Sequence, residues 1–506
     1  MQAVIESTKV KQRASLRLRL HPFILDVMTT GLTQAAALGA TFFLMGAVSR
    51  QMGLAALGEY LLVKRVSAWL LPATQLGLGV ALPRQIAHTV IDVENRARQY
   101  FMAGFSVMLL SVAGVGLIAI LNTPRVARLC FGSEKRSLLY AMVLLMFGTA
   151  AEVMVFGYFR GLERVQTANL ITFSTLAVVP VLAFVVTRNS HSAPVLIGAT
   201  GVGMAVVAML WAIPKIVVTR YLRPQFVNDV RQLLTYGVAR IPGDIANGGL
   251  LALGPMVASH YADMAQNSYL LVGIACLYMT GTAISPLSVV LLARISRLLA
   301  EGRRQDVNEY ICHLRSGVEQ FSLLLVVQGL IFARPLVLWW LGPSCSAGVP
   351  VIRVLMLAIP AYTYYAGLRS VVDAASVVAY NARNVLIAAG TLVAFSATVV
   401  LFLPPQKVVI GVAAATTLAY CVLALATHCT LRALGLAERS PQIGPMWMAG
   451  LLGLISLTAQ WVFHFQISKP AFGVVMLVNF GVLFLFLRKS QPEWLGFLLR
   501  VAFPRT

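Results

Sequence analysis

Lys64 and Arg65 lie a few residues inside one hydrophobic stretch, Arg240 and Asp244 lie within another, and Asp26 opens a third. Arg240 and Asp244 are spaced i,i+4, so on a helix they share a face. Arg369 and Asp373 repeat that spacing at the end of a further stretch. A charge at the centre of a spanning helix costs about 2.5–3.5 kcal/mol. Three such cations together reach ~7–10 kcal/mol, comparable to the ~5–15 kcal/mol net stability of a whole domain. Cations at that depth therefore do not face lipid. They snorkel to the interface, form ion pairs, or line a wet cavity. Lys64 lies only ~6–8 Å inside its helix end at ~1.5 Å per residue. It sits ~100° around the helix from Arg65, so one can line a cavity while the other snorkels. For Arg240 and Asp244, an internal pair that locks the helix and a contact to a substrate both stand open. The chemistry on offer is capture of an anionic group by Lys64, Arg65 and Arg240, with Asp244 and Asp26 tuning those cations or coupling ions. Arg369 and Asp373 suit ordinary interfacial roles, and Arg84 and Arg294 suit anchors at the inner face.

Other chemistries lack their residues. There is no Walker A motif, no His-Glu-x-x-His and no Gly-x-Ser-x-Gly. The six cysteines are scattered without C-x-x-C spacing and read as buried small hydrophobes. The seven histidines are dispersed, with His88 and His313 in loops and His428 and His464 near helix ends. No enzyme, metal site or cofactor is expected.

The elements that position the charges are membrane spans. With 58% hydrophobic and 11% charged residues, the chain takes the bilayer as its solvent. Each crossing must satisfy its own backbone, and no alternation suggests a barrel, so the fold class is all-α and polytopic. About 14 spans are read, over 24–48, 59–80, 100–121, 138–158, 167–187, 194–218, 233–258, 268–292, 317–341, 351–372, 384–403, 408–431, 443–465 and 470–487. The short connections leave no room for a soluble catalytic domain. The 40 Lys+Arg against 18 Asp+Glu give a net +22. These charges sit between apolar spans, so they read as topology signals and anionic-lipid contacts rather than nucleic-acid contacts. With the N-terminus inside, 27 cations fall on the cytoplasmic side, 10 on the opposite side and 3 within spans. That asymmetry places both termini in the cytoplasm.

A coarse repeat recurs at a shift near 209 residues. Tyr60-Leu-Leu-Val63 returns as Tyr269-Leu-Leu-Val272, and Arg84 as Arg294. Asn122-Thr-Pro124 with Phe131-Gly132 is echoed by Ala333-Arg-Pro335 with Leu341-Gly342, and Tyr158 to Leu162 by Tyr364 to Leu368. The shift covers six crossings, so two copies share one orientation about an axis along the membrane normal. The expected organisation is a basic cytoplasmic N-terminus (1–23), six-helix bundles over 24–222 and 223–432, an extra helix pair (433–487) and a cytoplasmic tail (488–506). Pro72, Pro242, Gly243 and Pro286 interrupt spans two, seven and eight and are expected to act as hinges. This pattern favours a transporter over a membrane enzyme.

Leu57-Gly-Glu-Tyr60, Gly77-Leu-Gly79 and Pro83-Arg-Gln-Ile-Ala87 resemble the opening of bacterial polysaccharide transporters. Tyr236-Gly237, Ile241-Pro-Gly243, Ser285-Pro286 and Ala293-Arg-Ile-Ser296 resemble their second half. So do Pro335, Leu338-Trp-Trp-Leu-Gly342 and Val351-Ile-Arg-Val-Leu355. The similarity runs from about residue 26 to 440 and points to the O-antigen and exopolysaccharide flippases. These are relatives of the multidrug and toxic-compound extruders in one exporter superfamily. The resemblance implies alternating-access movement of an undecaprenyl-pyrophosphate-linked sugar unit to the outer leaflet of the bacterial inner membrane. Coupling to an H+ or Na+ gradient would accompany it, with a polysaccharide polymerase and a chain-length regulator as partners. Lipid II flippases and cation-coupled drug extruders are the alternatives, and a membrane glycosyltransferase ranks below them.

Overall fold

The computed structural model describes residues 2–89, 92–217, 223–376 and 378–436, with 477, 478, 481 and 485 beyond them. The expected spans over 443–465 and 470–487, apart from those four positions, and the tail at 488–506 lie outside the described residues.

Every regular element among the described residues is helical. The first part of the chain forms α1 (Gln2–Gln51), α2 (Leu54–Thr74), α3 (Leu78–Ala87), α4 (Val93–Leu121), α5 (Thr123–Phe131) and α6 (Arg136–Gly161). It continues through α7 (Val165–Thr172), a π-helical segment (Phe173–Val178), α8 (Val179–Thr187) and α9 (Ala193–Val217). The remainder forms α10 (Arg223–Val238), α11 (Ile241–Ala258), α12 (Met264–Ala300), α13 (Arg304–Trp340) and α14 (Val349–Met356). The last described helices are α15 (Ile359–Ala375), α16 (Tyr380–Phe402) and α17 (Pro405–Ala433). Among the described residues, eight helices are long and apolar enough to cross a membrane, or ten if each of two bent pairs is one span. Their outward faces carry bare apolar side chains such as Leu110, Leu121, Val186, Leu401 and Phe402, each more than 70% exposed. In water that surface would be a severe liability; in hydrocarbon it is the required one.

Proline decides where spans break. Pro72 lies inside α2, and the chain leaves the helix two residues later, bending 53° into α3. Leu76 and Gly77 take positive φ angles of 54° and 69° at that turn. A Cβ on Gly77 would meet the Gly237 carbonyl oxygen at 2.1 Å, so only glycine permits α3 and α10 to approach this closely. At Pro242 the break is complete. A proline ring clashes with the carbonyl four residues back, and α10 ends at that residue, Val238. Pro242 and Gly243 then sit in the first turn of α11, where a missing N–H costs nothing. Pro286 behaves differently: α12 runs unbroken from Met264 to Ala300 across it. The interruption expected there from sequence is absent.

The chain forms two compact units. Unit 1 comprises Met1–Leu44, Leu71–Leu121 and Tyr140–Ile241; unit 2 comprises Met45–Leu70, Asn122–Leu139 and Pro242–Thr506. In unit 1, α3, α4 and α10 pack together, and α8 lies along α9. Its core holds an aromatic chain, Phe105–Phe101–Tyr158–Phe159–Trp211, with neighbouring ring centroids 5.1–5.5 Å apart. Gly148 of α6 and Gly201 of α9 meet backbone to backbone, a small-residue crossing of the kind bilayer helices favour. In unit 2, α12 packs along α15 and α16 along α17, around cores built from Ile274, Leu355, Val412, Leu314, Leu368 and Val371.

Candidate functional site

The residues singled out from sequence divide between the units. Lys64, Arg65 and Asp244 fall in unit 2, whereas Asp26 and Arg240 fall in unit 1.

In unit 2, α2 is fixed by Trp69, whose indole N–H donates to the Ile245 carbonyl at 3.0 Å. Gly248 lets the Trp69 ring lie against α11. One turn earlier on α2, Arg65 stacks its guanidinium over the Tyr278 ring of α12 at 4.8 Å. The phenols of Tyr362 on α15 and Tyr420 on α17 lie within electrostatic reach of the same guanidinium. Those two rings meet edge-on at 5.1 Å. Lys64 turns the other way, its Nζ donating to the Tyr60 hydroxyl at 3.4 Å and lying 5.2 Å from that ring's centre. Both cations are half-buried. Among the described residues, no carboxylate lies within 4 Å of either.

This arrangement has a definite chemistry. Cation–π contact offsets part of the desolvation of a guanidinium, by roughly 0.5–2 kcal/mol, without neutralising it. Arg65 therefore keeps its charge and most of its donors for something else, with phenol hydroxyls beside it. Such an arrangement has the charge and the donors to hold an anion.

The cluster extends toward the end of α15. Tyr365 lies within electrostatic reach of Arg369, Asp373 and Asp244. Asn381 at the start of α16 donates to both the Arg369 carbonyl and the Asp373 carboxylate at 2.8 Å. Asp244 thus neighbours the group that the sequence reading left to interfacial roles. Tyr362 also lies within reach of both Arg65 and Arg369, linking the two ends.

Arg240 differs from its sequence expectation. It occupies the two-residue turn between α10 and α11, not a helical span, and its side chain is exposed. The Pro242 break displaced it, so it does not share a helical face with Asp244. Its guanidinium donates to the Tyr236 hydroxyl at 3.2 Å, and Arg84 stacks on the same ring at 4.1 Å. Arg84 and Arg240 form a second, more open cationic patch, within unit 1. Asp26 opens the membrane part of α1, where its carbonyl accepts from the Thr29 hydroxyl.

Sequence reasoning missed two features. The tyrosines of the platform lie more than 200 residues from Arg65, on three other helices, and carry no local signature. Glu152 lies within the apolar run of α6 and is 5% exposed, with Thr172 of α7 donating to it at 3.4 Å. A lone carboxylate in a spanning run was the signal for it.

The fold has solved counterparts. It is similar to that of the lipid II flippase MurJ in an inward closed conformation, with a TM-score of 0.68 and 15% identity, covering 92% of this chain and 98% of that one. It is also similar to an inward-facing multidrug resistance MATE family transporter of the MOP superfamily, with a TM-score of 0.61, 13% identity, and 81% and 100% of the two chains covered. A MOP superfamily transporter from Pyrococcus furiosus aligns with a TM-score of 0.54, 13% identity, and 82% and 96% coverage. The chain has the fold of the MOP superfamily transporters. No protein-family model matches the sequence, and no curated protein matches it. At these identities the likeness is one of fold.

Proposed function

We propose that this protein is a flippase that carries an undecaprenyl-pyrophosphate-linked oligosaccharide repeat unit across the bacterial inner membrane by alternating access. The product would feed O-antigen or exopolysaccharide assembly. The observation that carries the reading is Arg65, a guanidinium held within the membrane on tyrosines with no carboxylate beside it. A pyrophosphate supplies the missing charge and accepts several charge-assisted hydrogen bonds. The tyrosine faces suit the attached sugars, and the polyprenyl tail stays in lipid.

In this reading Lys64 and Arg65 hold the headgroup and Arg240, beside Arg84, contacts it during entry. Asp244 and Asp26 tune these cations or couple an H+ or Na+ gradient. The turns after Pro72 and before Pro242–Gly243 are the hinges, with Pro286 inside α12 as a further one. The halves at 24–222 and 223–432 rock about the site, both termini lie in the cytoplasm, and a polymerase with its chain-length regulator receives the product. The reading is of a transporter, not an enzyme.

A second reading is lipid II itself, favoured by the likeness to a lipid II flippase over nearly the whole of both chains. Both substrates present a polyprenyl pyrophosphate, and the first is preferred on the sequence motifs around Leu57–Tyr60 and Pro83–Ala87.

The test is charge reversal in cells that make the polymer. Lys64→Glu, Arg65→Glu and Arg240→Glu are expected to abolish surface polysaccharide while the variants remain in the membrane at normal levels. Normal polysaccharide from all three would remove these residues from the mechanism. Rescue of a lipid II flippase deficiency by the wild-type protein would favour the second reading.

A further inference from the structure

Among the described residues, three carboxylates are buried: Glu59, Asp229 and Glu152. Two have cations. Asp229 of α10 takes a two-pronged contact from Arg96 of α4, at 2.8 and 3.2 Å, and Glu59 of α2 pairs with Lys135. Glu152 has none. It lies on α6, nine residues and so about 13 Å from the Gly161 end of the helix. Its partner is a single hydroxyl, that of Thr172.

The surroundings narrow what Glu152 can hold. Asn169, one turn before Thr172 on α7, donates its amide to the Thr29 and Thr30 hydroxyls of α1 at 3.3 and 3.0 Å. Its carbonyl oxygen accepts from Thr30. The Thr175 hydroxyl, one turn beyond, is spent on the Ile171 carbonyl. Among the described residues, Glu152 belongs to no cluster of three or more metal-ligating side chains. Among the described residues no charged group acts on Glu152; desolvation and the Thr172 hydrogen bond are its environment.

We infer that Glu152 is a site of reversible protonation built into unit 1, holding its proton while buried between α6 and α7 and exchanging it with water when that packing parts. The proton comes from water and returns to it; no other bond changes. The chain carries a device for the parting. The π-helical segment Phe173–Val178 begins directly after Thr172. A π turn holds an extra residue, so relaxing it to α geometry would rotate the preceding turn, Thr172 included, relative to α6. Coupling this proton to lipid movement rests on the flippase reading; the site itself does not.

The test uses the wild-type protein in detergent with dicyclohexylcarbodiimide, an apolar reagent that adds to protonated carboxyls, read by peptide mass spectrometry. Glu152 should be labelled, with labelling falling roughly tenfold per pH unit above its midpoint. Glu59 and Asp229 should stay unlabelled, and Glu152→Gln should lose the modified peptide. Labelling of Glu152 no greater than that of Glu59, or protection by sodium at constant pH, would overturn the assignment. In proteoliposomes, Glu152→Gln should lose the pH-gradient dependence of lipid-linked sugar movement; movement with wild-type dependence would also overturn it. Labelling in a protein that moves no such lipid would leave the proton site standing and remove the flippase reading.

Discussion

Two charges, Asp229 in unit 1 and Arg65 in unit 2, are treated in opposite ways. In unit 1 the Arg96–Asp229 pair is complete: both carboxylate oxygens are bonded, and Arg96 also donates to Gln99 and stacks on Tyr100. In unit 2 Arg65 is set on aromatic rings with no acid beside it. A complete pair is an internal brace between α4 and α10. An incomplete one has desolvated a charge without neutralising it, which stability alone does not explain. The difference separates a charge that braces two helices from one with no counter-charge beside it.

The comparison is easiest to break at the brace. Asp229 is 1% exposed, so Arg96→Ala takes the two-pronged counter-charge from a buried carboxylate and should cost on the order of 3 kcal/mol. The loss would be read as a large drop in thermal stability of the purified protein. A small drop would mean that water reaches Asp229 and that the contrast is overdrawn. Arg65→Leu should do the reverse, leaving stability unchanged or slightly raised while abolishing polysaccharide export. Parallel loss of folding and export would make Arg65 a brace as well.

The platform itself predicts a smaller effect. Tyr278→Leu removes one cation–π contact, worth about 0.5–2 kcal/mol, and should weaken substrate binding by roughly 2- to 30-fold with the fold intact. Unchanged affinity would show that the ring only fills space. At the bottom of the scale, Arg297 and Glu301 form an exposed i,i+4 pair at 2.9 Å at the end of α12. Arg297→Ala should leave the thermal stability of the purified protein unchanged within measurement scatter, and a clear drop would show that this surface pair braces the fold.

Much of the fold was legible because bilayer crossings announce themselves as long apolar runs, and the helices over 100–121, 138–158, 384–403 and 408–431 follow. Proline chemistry located the break before α11. It did not reveal that Arg240 would leave the helix with it: α10 and α11 merge into one apolar stretch in sequence, and only the Val238–Pro242 clash separates them. Pro286 does not end its helix: α12 stays helical from Met264 to Ala300, since a proline removes one hydrogen bond and the rest of the helix holds. Of the site, Lys64 and Arg65 were legible from cost alone. Tyr278, Tyr362 and Tyr420 were not, since aromatic residues are common in spans and only tertiary packing brings these three to one guanidinium. Arg369 and Asp373 were read as interfacial because position along a helix says nothing about which neighbours its end meets.

The most direct measurement is the affinity of purified wild-type and Arg65→Leu protein for a short-chain polyprenyl pyrophosphate across a salt series. The account predicts binding at least about tenfold weaker in the variant, a difference of ~1.4 kcal/mol or more, with a shallower salt dependence. Equal affinity and equal salt dependence in two well-folded proteins would contradict it.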